Sequence, residues 1–325
     1  MLNNPSESEN FFQIPELGLG AAQLGNLGRA MSDAEGEQLI ESAWNQGYRY
    51  FDTAPHYGLG LSEERLGRAL RKHPRSEYFL STKVGRLIVE NEDRSFSADN
   101  QGFDVNTSKH RVWDFSRDGI HRSVEESLNR LGTDKIDLLL LHDPDDFFEQ
   151  ASTEGISALI ELRDQGVVKY VGAGMNFTAP LVELIRRADV DLVMCAGRIT
   201  LLDSDAEKAL IPLALERKVG IIAAGVYNSG ILGKNWPDDS SSFHYGTASS
   251  EVIERARKIA RVCENFGVSL PEAAVAFVKK NPAVVSIVLG ARDAKQSDQN
   301  ILRHSKTIDP ELWGELQEQG LLPFS

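Results

Sequence analysis

The segment FDTAPHYG, residues 51–58, crowds an acid, a histidine and a tyrosine (Asp52, His56 and Tyr57) into the end of an aromatic, apolar run. Two later apolar runs also end in groups that exchange or steer protons: STKVG, residues 81–85, carries Lys83, and IDLLLLH, residues 136–142, closes on His142. A tyrosine phenol titrates near ~10, too high for easy exchange at neutral pH. An adjacent ammonium favours the phenolate and lowers that value. Lys83 would supply the charge, Asp52 would hold the lysine, and His142 would hydrogen-bond the same substrate oxygen as the phenol. The set suits proton transfer coupled to hydride transfer, with Tyr57 as general acid or base. Taken singly, each residue has a structural explanation: an aspartate satisfying turn amides, a solvated lysine or tyrosine, a hydrogen-bonded histidine. Their shared place at the ends of three successive apolar runs is what favours chemistry.

Eight such runs are present, at 17–25, 48–53, 78–85, 136–142, 170–175, 191–197, 220–226 and 284–290. Most are nearly continuous in apolar residues, as parallel strands covered on both faces are. Amphipathic helical segments alternate with them. Ser32-x-x-Glu35 and Ser269-x-x-Glu272 read as capping boxes, the latter with Pro271 in the first turn, and Ser62 and Ser116 open two further helices. Gly132 closes the helix that carries Ile120, Val124, Leu128 and Leu131 on one face. Eight βα units predict an α/β fold of the (β/α)8 TIM-barrel type in a single domain. A doubly wound sheet is the competing architecture, but its G-x-G-x-x-G fingerprint is missing after both Gly18 and Gly58. Residues 1–16 read as a flexible N-terminal segment and 17–325 as the barrel. The long polar stretch 86–115 follows the third strand, so in a barrel it lies over the active-site face.

Composition narrows the partners. The 325 residues are 41% hydrophobic and 26% charged, ordinary for a globular protein. The net charge of −13, from 35 basic and 48 acidic residues, argues against nucleic acid or an anionic membrane as partner. Cys195 and Cys263 both sit in apolar surroundings, so no disulfide framework is expected and a reducing compartment follows. The polar start MLNNPSESENFFQ lacks the apolar core of a signal peptide, and the longest apolar run is too short to span a bilayer. A cytoplasmic protein with a small-molecule substrate and no metal site is expected; the sequence fixes no oligomeric state.

The chain resembles the aldo-keto reductases from about Leu17 to about Ser305, through FDTAPHYG, STKVG, LLLLHDP, VGAGMN and VLGARDAKQSDQN. The resemblance implies a (β/α)8 barrel that binds NADP or NAD without a Rossmann domain, with Asp52, Tyr57, Lys83 and His142 as catalytic tetrad. It implies that Asn176 holds the nicotinamide carboxamide. It implies that the loop Gly225, Val226, Tyr227, Asn228, Ser229, Gly230 folds over the pyrophosphate, and that Gly290, Ala291, Arg292, Gln296 and Asn300 meet the adenosine end. Relatives usually carry a serine before the asparagine, where this chain has Met175. Small residues let backbone amides approach phosphates, and a helix starting near Asp293 would offer its N-terminus to an anion. Arg292 gives a modest lean to NADP. The wording of LGLGAAQLGN, APHYGLGLSE and AAGVYNSG resembles a bacterial branch of the family that oxidises cyclic hemiacetals, either sugars or pyridoxal. That implies hydride transfer from a sugar hemiacetal carbon, aldose to lactone, as the leading function. Gln23, His56, Asp143 and Asn228 are candidate sugar-binding groups. Trp113, Phe115 and Tyr227 would instead stack on a pyridine ring, and oxidation of pyridoxal, or reduction of another small aldehyde, is the alternative. A cofactor-binding regulatory subunit is the reading from another class.

Overall fold

All eight apolar runs form strands in the computed structural model, which describes residues 12–322. They are β1 (Leu17–Gly20), β2 (Tyr50–Asp52), β3 (Phe79–Val84), β4 (Leu138–His142), β5 (Tyr170–Met175), β6 (Leu192–Ala196), β7 (Gly220–Ala224) and β8 (Val284–Gly290). Each pairs in parallel with its sequence neighbours, and β1 pairs with both β2 and β8, so the sheet closes. The expected (β/α)8 barrel is therefore present. The apolar runs are continuous because both strand faces are covered. Leu138 and Leu140 join Tyr50, Phe79, Leu192, Met194 and Ile222 inside the barrel, while Leu139 and Leu141 belong to the shell between barrel and helices.

The helix signals are mostly realised. Ser32–Glu35 and Ser269–Glu272 form reciprocal capping boxes at Asp33–Asn45 and Leu270–Lys279. Ser116 caps Arg117–Leu131, which Gly132 ends in a left-handed conformation. Ser62 is a correction. The helix Leu61–Leu70 starts after Gly60, and the buried Ser62 hydroxyl instead bonds Thr53 Oγ1 and the Ala21 carbonyl, tying the ends of β1 and β2 together. Of the segment expected to precede the barrel, residues 1–11 lie outside the described residues. Residues 12–16 pack on the barrel floor: Phe12 lies edge-on to Tyr170, Gln13 N donates to the Tyr170 hydroxyl, and Ile14 is buried.

The polar stretch after β3 is built rather than structureless. Arg86–Glu90 and Lys109–Trp113 pair as an antiparallel ribbon, extended by the short pair Ser97–Ala98 and Asn106–Thr107. The ribbon bends back over the mouth of the barrel. Phe103 bridges to Leu27 and lays its ring against His56 and Tyr57, and Arg111 pairs with Asp99 and donates to the His56 carbonyl.

Candidate active site

The C-terminal ends of β2, β3 and β4 deliver their polar residues to one point because neighbouring parallel strands end on one rim. Lys83 Nζ donates to Asp52 Oδ2 at 2.7 Å, to the Thr53 carbonyl at 3.0 Å and to the Tyr57 hydroxyl at 3.1 Å. Ser81 holds the other Asp52 oxygen at 2.7 Å and is itself bonded to Tyr50. Every polar atom of the lysine and aspartate thus has a partner, which is the condition for keeping such a pair inside a protein. His142 closes the group, its ring centre 5.9 Å from that of Tyr57. Tyr57 reaches this place through a tight backbone contact: Gly58 has φ +66°, and a Cβ on Gly25 would stand 2.5 Å from the Tyr57 carbonyl carbon. Only glycine fits at either position.

Electrostatics corrects one expectation. Burial pushes the Tyr57 phenol up, and the nearby Lys83 ammonium offsets only part of that shift. Burial opposes the charge on Lys83, yet Asp52 and Tyr57 outweigh it and hold the lysine above its ordinary range. The resting pair is an ammonium beside a protonated phenol. Burial, helped by Arg86, holds His142 well below the usual histidine range, and burial with Arg86 and Arg111 brings His56 down to about 2. Both imidazoles are neutral at physiological pH. The Nδ1 atoms of both are buried with no hydrogen-bond partner.

A second chain of contacts leads away from the tetrad. Arg86 donates to the His142 carbonyl at 3.2 Å and to Asp143 Oδ2 at 2.8 Å, and Asn176 donates to Asp143 Oδ1 at 3.2 Å. Asp143 therefore orients the Asn176 amide. Beyond it, Ser229 and Gly230 are exposed at φ +60° and +100°, a Cβ on Gly230 would meet nothing within 4 Å, and Gly225 packs on Gly197. Gly290 is exposed beside the Gln23 amide, and Arg292 makes no ion pair among the described residues. An oriented amide, an open left-handed loop and an unpaired guanidinium in sequence along the rim fit a nicotinamide dinucleotide.

Several expected contacts belong to the scaffold instead. Phe115 is fully buried beneath Gly85, whose Cβ would lie 2.1 Å from its ring, so it packs the shell and cannot stack on a substrate. Asn228 is buried with both ends used, its oxygen by Thr200 and its nitrogen by the Gly197 carbonyl, so it shapes the loop rather than binding a sugar. Asn300 is buried too: it accepts from the Tyr227 hydroxyl and donates to the Gly290 carbonyl, which fixes the loop against the end of β8. Val226 and Ala291 are buried and offer only backbone to the rim. Asp293 caps the helix Ala294–Ser305 by accepting from Gln296 N, and Gln296 Oε1 turns back to accept from Arg292 N, so in the free protein these two side chains occupy the helix start. Trp113 stays half-buried at the mouth, between Arg86 and Phe147. Arg86, Phe103, Arg198 and Tyr245, none of them singled out in the sequence, also contact the candidate residues Asp143, Tyr57 and Asn176. Arg86 carried a signal, since it stands three residues after Lys83 at the same strand end.

A family model described as the Aldo/keto reductase family matches residues 16–319. A D-threo-aldose 1-dehydrogenase of Pseudomonas sp is 43% identical over 323 residues, covering 98% of this chain and 98% of the relative. A pyridoxal 4-dehydrogenase of Microbacterium luteolum is 37% identical, covering 95% of both. An aldo-keto reductase of Bacillus halodurans, solved in its holo form, superposes with a TM-score of 0.73 at 25% identity, covering 96% of this chain and 93% of that one. No described helix is long and apolar enough to cross a membrane. With a closed barrel, tetrad geometry at one rim and a family match over nearly its whole length, this chain belongs to the aldo/keto reductase family of nicotinamide-dependent oxidoreductases acting on small molecules.

Proposed function

We propose that the protein oxidises the hemiacetal carbon of a free aldose, giving a lactone, with Tyr57, Lys83, Asp52 and His142 as the catalytic group. The observation that carries this is the Tyr57 hydroxyl 3.1 Å from a buried Lys83 ammonium that Asp52 holds at 2.7 Å. Tyr57 takes the proton of the anomeric hydroxyl. Lys83 stabilises the phenolate that must form first, and Asp52 keeps the ammonium charged and in place. Neutral His142 and His56 orient the sugar oxygens without adding charge. A nicotinamide cofactor held by Asn176 and the loop 225–230 would supply the acceptor for the hydride of the same carbon. The ribbon 86–113 excludes water above the phenol through Phe103. A sugar suits this mouth because His56, Asp143 and Gln23 are part-exposed at the rim, while of the expected stacking rings Phe115 is withdrawn into the core and Trp113 stays at the mouth. The similarity to the Pseudomonas aldose dehydrogenase supports the same substrate class.

For the cofactor we infer use of both dinucleotides, with NADP favoured through Arg292, whose guanidinium is unpaired among the described residues and lies next to Gly28. A charge-assisted contact to a 2′-phosphate contributes roughly 1.5–3 kcal/mol, about one to two powers of ten in affinity. Arg292→Ala should weaken NADP by that factor and NAD far less. Equal losses would assign Arg292 to the adenine. The deciding experiment is a panel of aldoses and pyridoxal with each cofactor, followed by NAD(P)H absorbance. Turnover of pyridoxal with none of the aldoses would overturn the sugar reading.

A further inference from the structure

Residues 242–247 form a two-residue hairpin, with Ser242 paired to Thr247 and Phe243 to Gly246. Its turn residues are His244 and Tyr245, at φ +49° and +63°. Tight hairpins of this kind favour Asn-Gly, because both central residues must be left-handed. A bulky side chain adopts that conformation only at a cost, and two in succession persist only where surrounding contacts over-determine them. Those contacts are present, and all run to the cofactor rim. Tyr245 N donates to Ser229 Oγ at 2.8 Å, and the Tyr245 hydroxyl donates to Asn176 Oδ1 at 3.1 Å. His244 Nε2 lies 2.8 Å from Asp203, whose carboxylate also takes Arg198 at 2.8 Å, and Arg198 in turn holds the Asn176 carbonyl at 2.7 Å. Yet the Tyr245 residue remains 79% exposed, a large ring tethered at its hydroxyl and its backbone only.

We propose that Tyr245 is a cofactor-binding residue and that the 242–247 hairpin is a clasp spanning the cleft from Asn176 to Ser229. In the free protein its hydroxyl donates to the Asn176 amide oxygen, while Asp143 takes a hydrogen of the amide nitrogen. An incoming carboxamide takes that acceptor, and the displaced phenol ring is left to cover the bound dinucleotide. An exposed aromatic on a strained turn gains apolar contact only when a ligand lies beneath it, so the turn geometry is retained for the bound state. Met175 precedes Asn176 and offers no hydroxyl, which leaves Tyr245 as the hydroxyl donor to this amide among the described residues.

The inference rests on the cofactor cleft proposed above, and binding separates the two. Association and dissociation rates of NADP and NAD are read by stopped-flow quenching of tryptophan fluorescence, without substrate. Tyr245→Phe keeps the ring but frees Asn176; it should associate about three- to ten-fold faster, the factor one neutral hydrogen bond supplies. Tyr245→Gly removes the ring and suits the left-handed turn, so the hairpin survives; its dissociation should be about ten-fold faster or more. Wild-type rates in both variants would overturn the clasp while leaving the cofactor cleft intact. A wild-type protein that binds neither dinucleotide would overturn both.

Discussion

Replacing Lys83 by methionine keeps an unbranched side chain one atom shorter and removes the one charge that touches the Tyr57 oxygen. The ammonium stands 3.1 Å from that oxygen and 2.7 Å from Asp52. Two unit charges about 3 Å apart attract by about 5 kcal/mol at an effective dielectric of about 20, which is the gross stabilisation of a Tyr57 phenolate. Asp52 on the other side of the ammonium cancels part of this, since its own charge opposes the phenolate. A net of about 2 kcal/mol is a reasonable remainder, between one and two pKa units upward at about 1.4 kcal/mol per unit. The wild-type phenol already sits above 10.0 through burial, so the oxidative rate, which needs the deprotonated form, climbs with pH across the accessible range. In Lys83→Met the same climb should be displaced one to two pH units higher, a loss of about 10- to 100-fold at a given pH that narrows only above the wild-type phenol's own titration. The variant also leaves Asp52 buried without its cation, a cost of about 3–5 kcal/mol that could be mistaken for the catalytic effect. The double variant Asp52→Asn/Lys83→Met removes that unpaired charge. It should recover thermal stability while keeping the displaced pH–rate profile. A single-variant profile unchanged in height and position would refute the assignment of Lys83 as the group that tunes the phenol.

Three further outcomes follow. Tyr57→Phe should lose about two to four powers of ten in turnover with cofactor dissociation constants unchanged, measured by absorbance and by fluorescence titration; near wild-type turnover would remove Tyr57 from the mechanism. Gly25→Ala puts a Cβ 2.5 Å from the Tyr57 backbone and should cost about 1–3 kcal/mol while lowering turnover, whereas Gly314→Ala, a helical position with open space around it, should be neutral or slightly stabilising; equal melting temperatures for the two would contradict the close approach. His56 has a folded value of about 2 against an ordinary 6.5, so the folded state refuses a proton that the unfolded chain accepts. Stability is then full above 6.5 and falls as the pH drops below it, by about 1.4 kcal/mol per pH unit for His56 and the same again for His142. His56→Asn should roughly halve this acid sensitivity in urea unfolding, and an unchanged slope would show that His56 titrates normally.

The barrel and its tetrad were legible because both follow from one-dimensional rules. A strand covered on both faces must be apolar throughout, so eight such runs announce eight parallel strands, and a polar residue at the end of one must lie on the rim. Lys83 and His142 needed no other information. What could not be read were the contacts decided by distant chain segments. Phe115 looked free to stack because nothing nearby in sequence covers it; Gly85, thirty residues earlier, makes the space that buries it. Asn228 and Asn300 looked like ligand-binding amides because a side-chain amide has the same donors and acceptors whether it faces a ligand or a carbonyl of its own chain. Asp293 marked the start of a helix, and only the structure shows that its side chain caps Gln296 N there. Tyr245 is the instructive case. It stands in SSSFHYGTASS, where small polar residues predict a loop and a lone His-Tyr pair predicts nothing about direction. Its meaning comes from a left-handed backbone that sequence rules assign to asparagine and glycine. A local rule broken by two adjacent bulky residues marks a place where the fold is specified for something other than its own stability, and here the contacts that hold the broken rule in place lead to the amide and the loop of the cofactor rim.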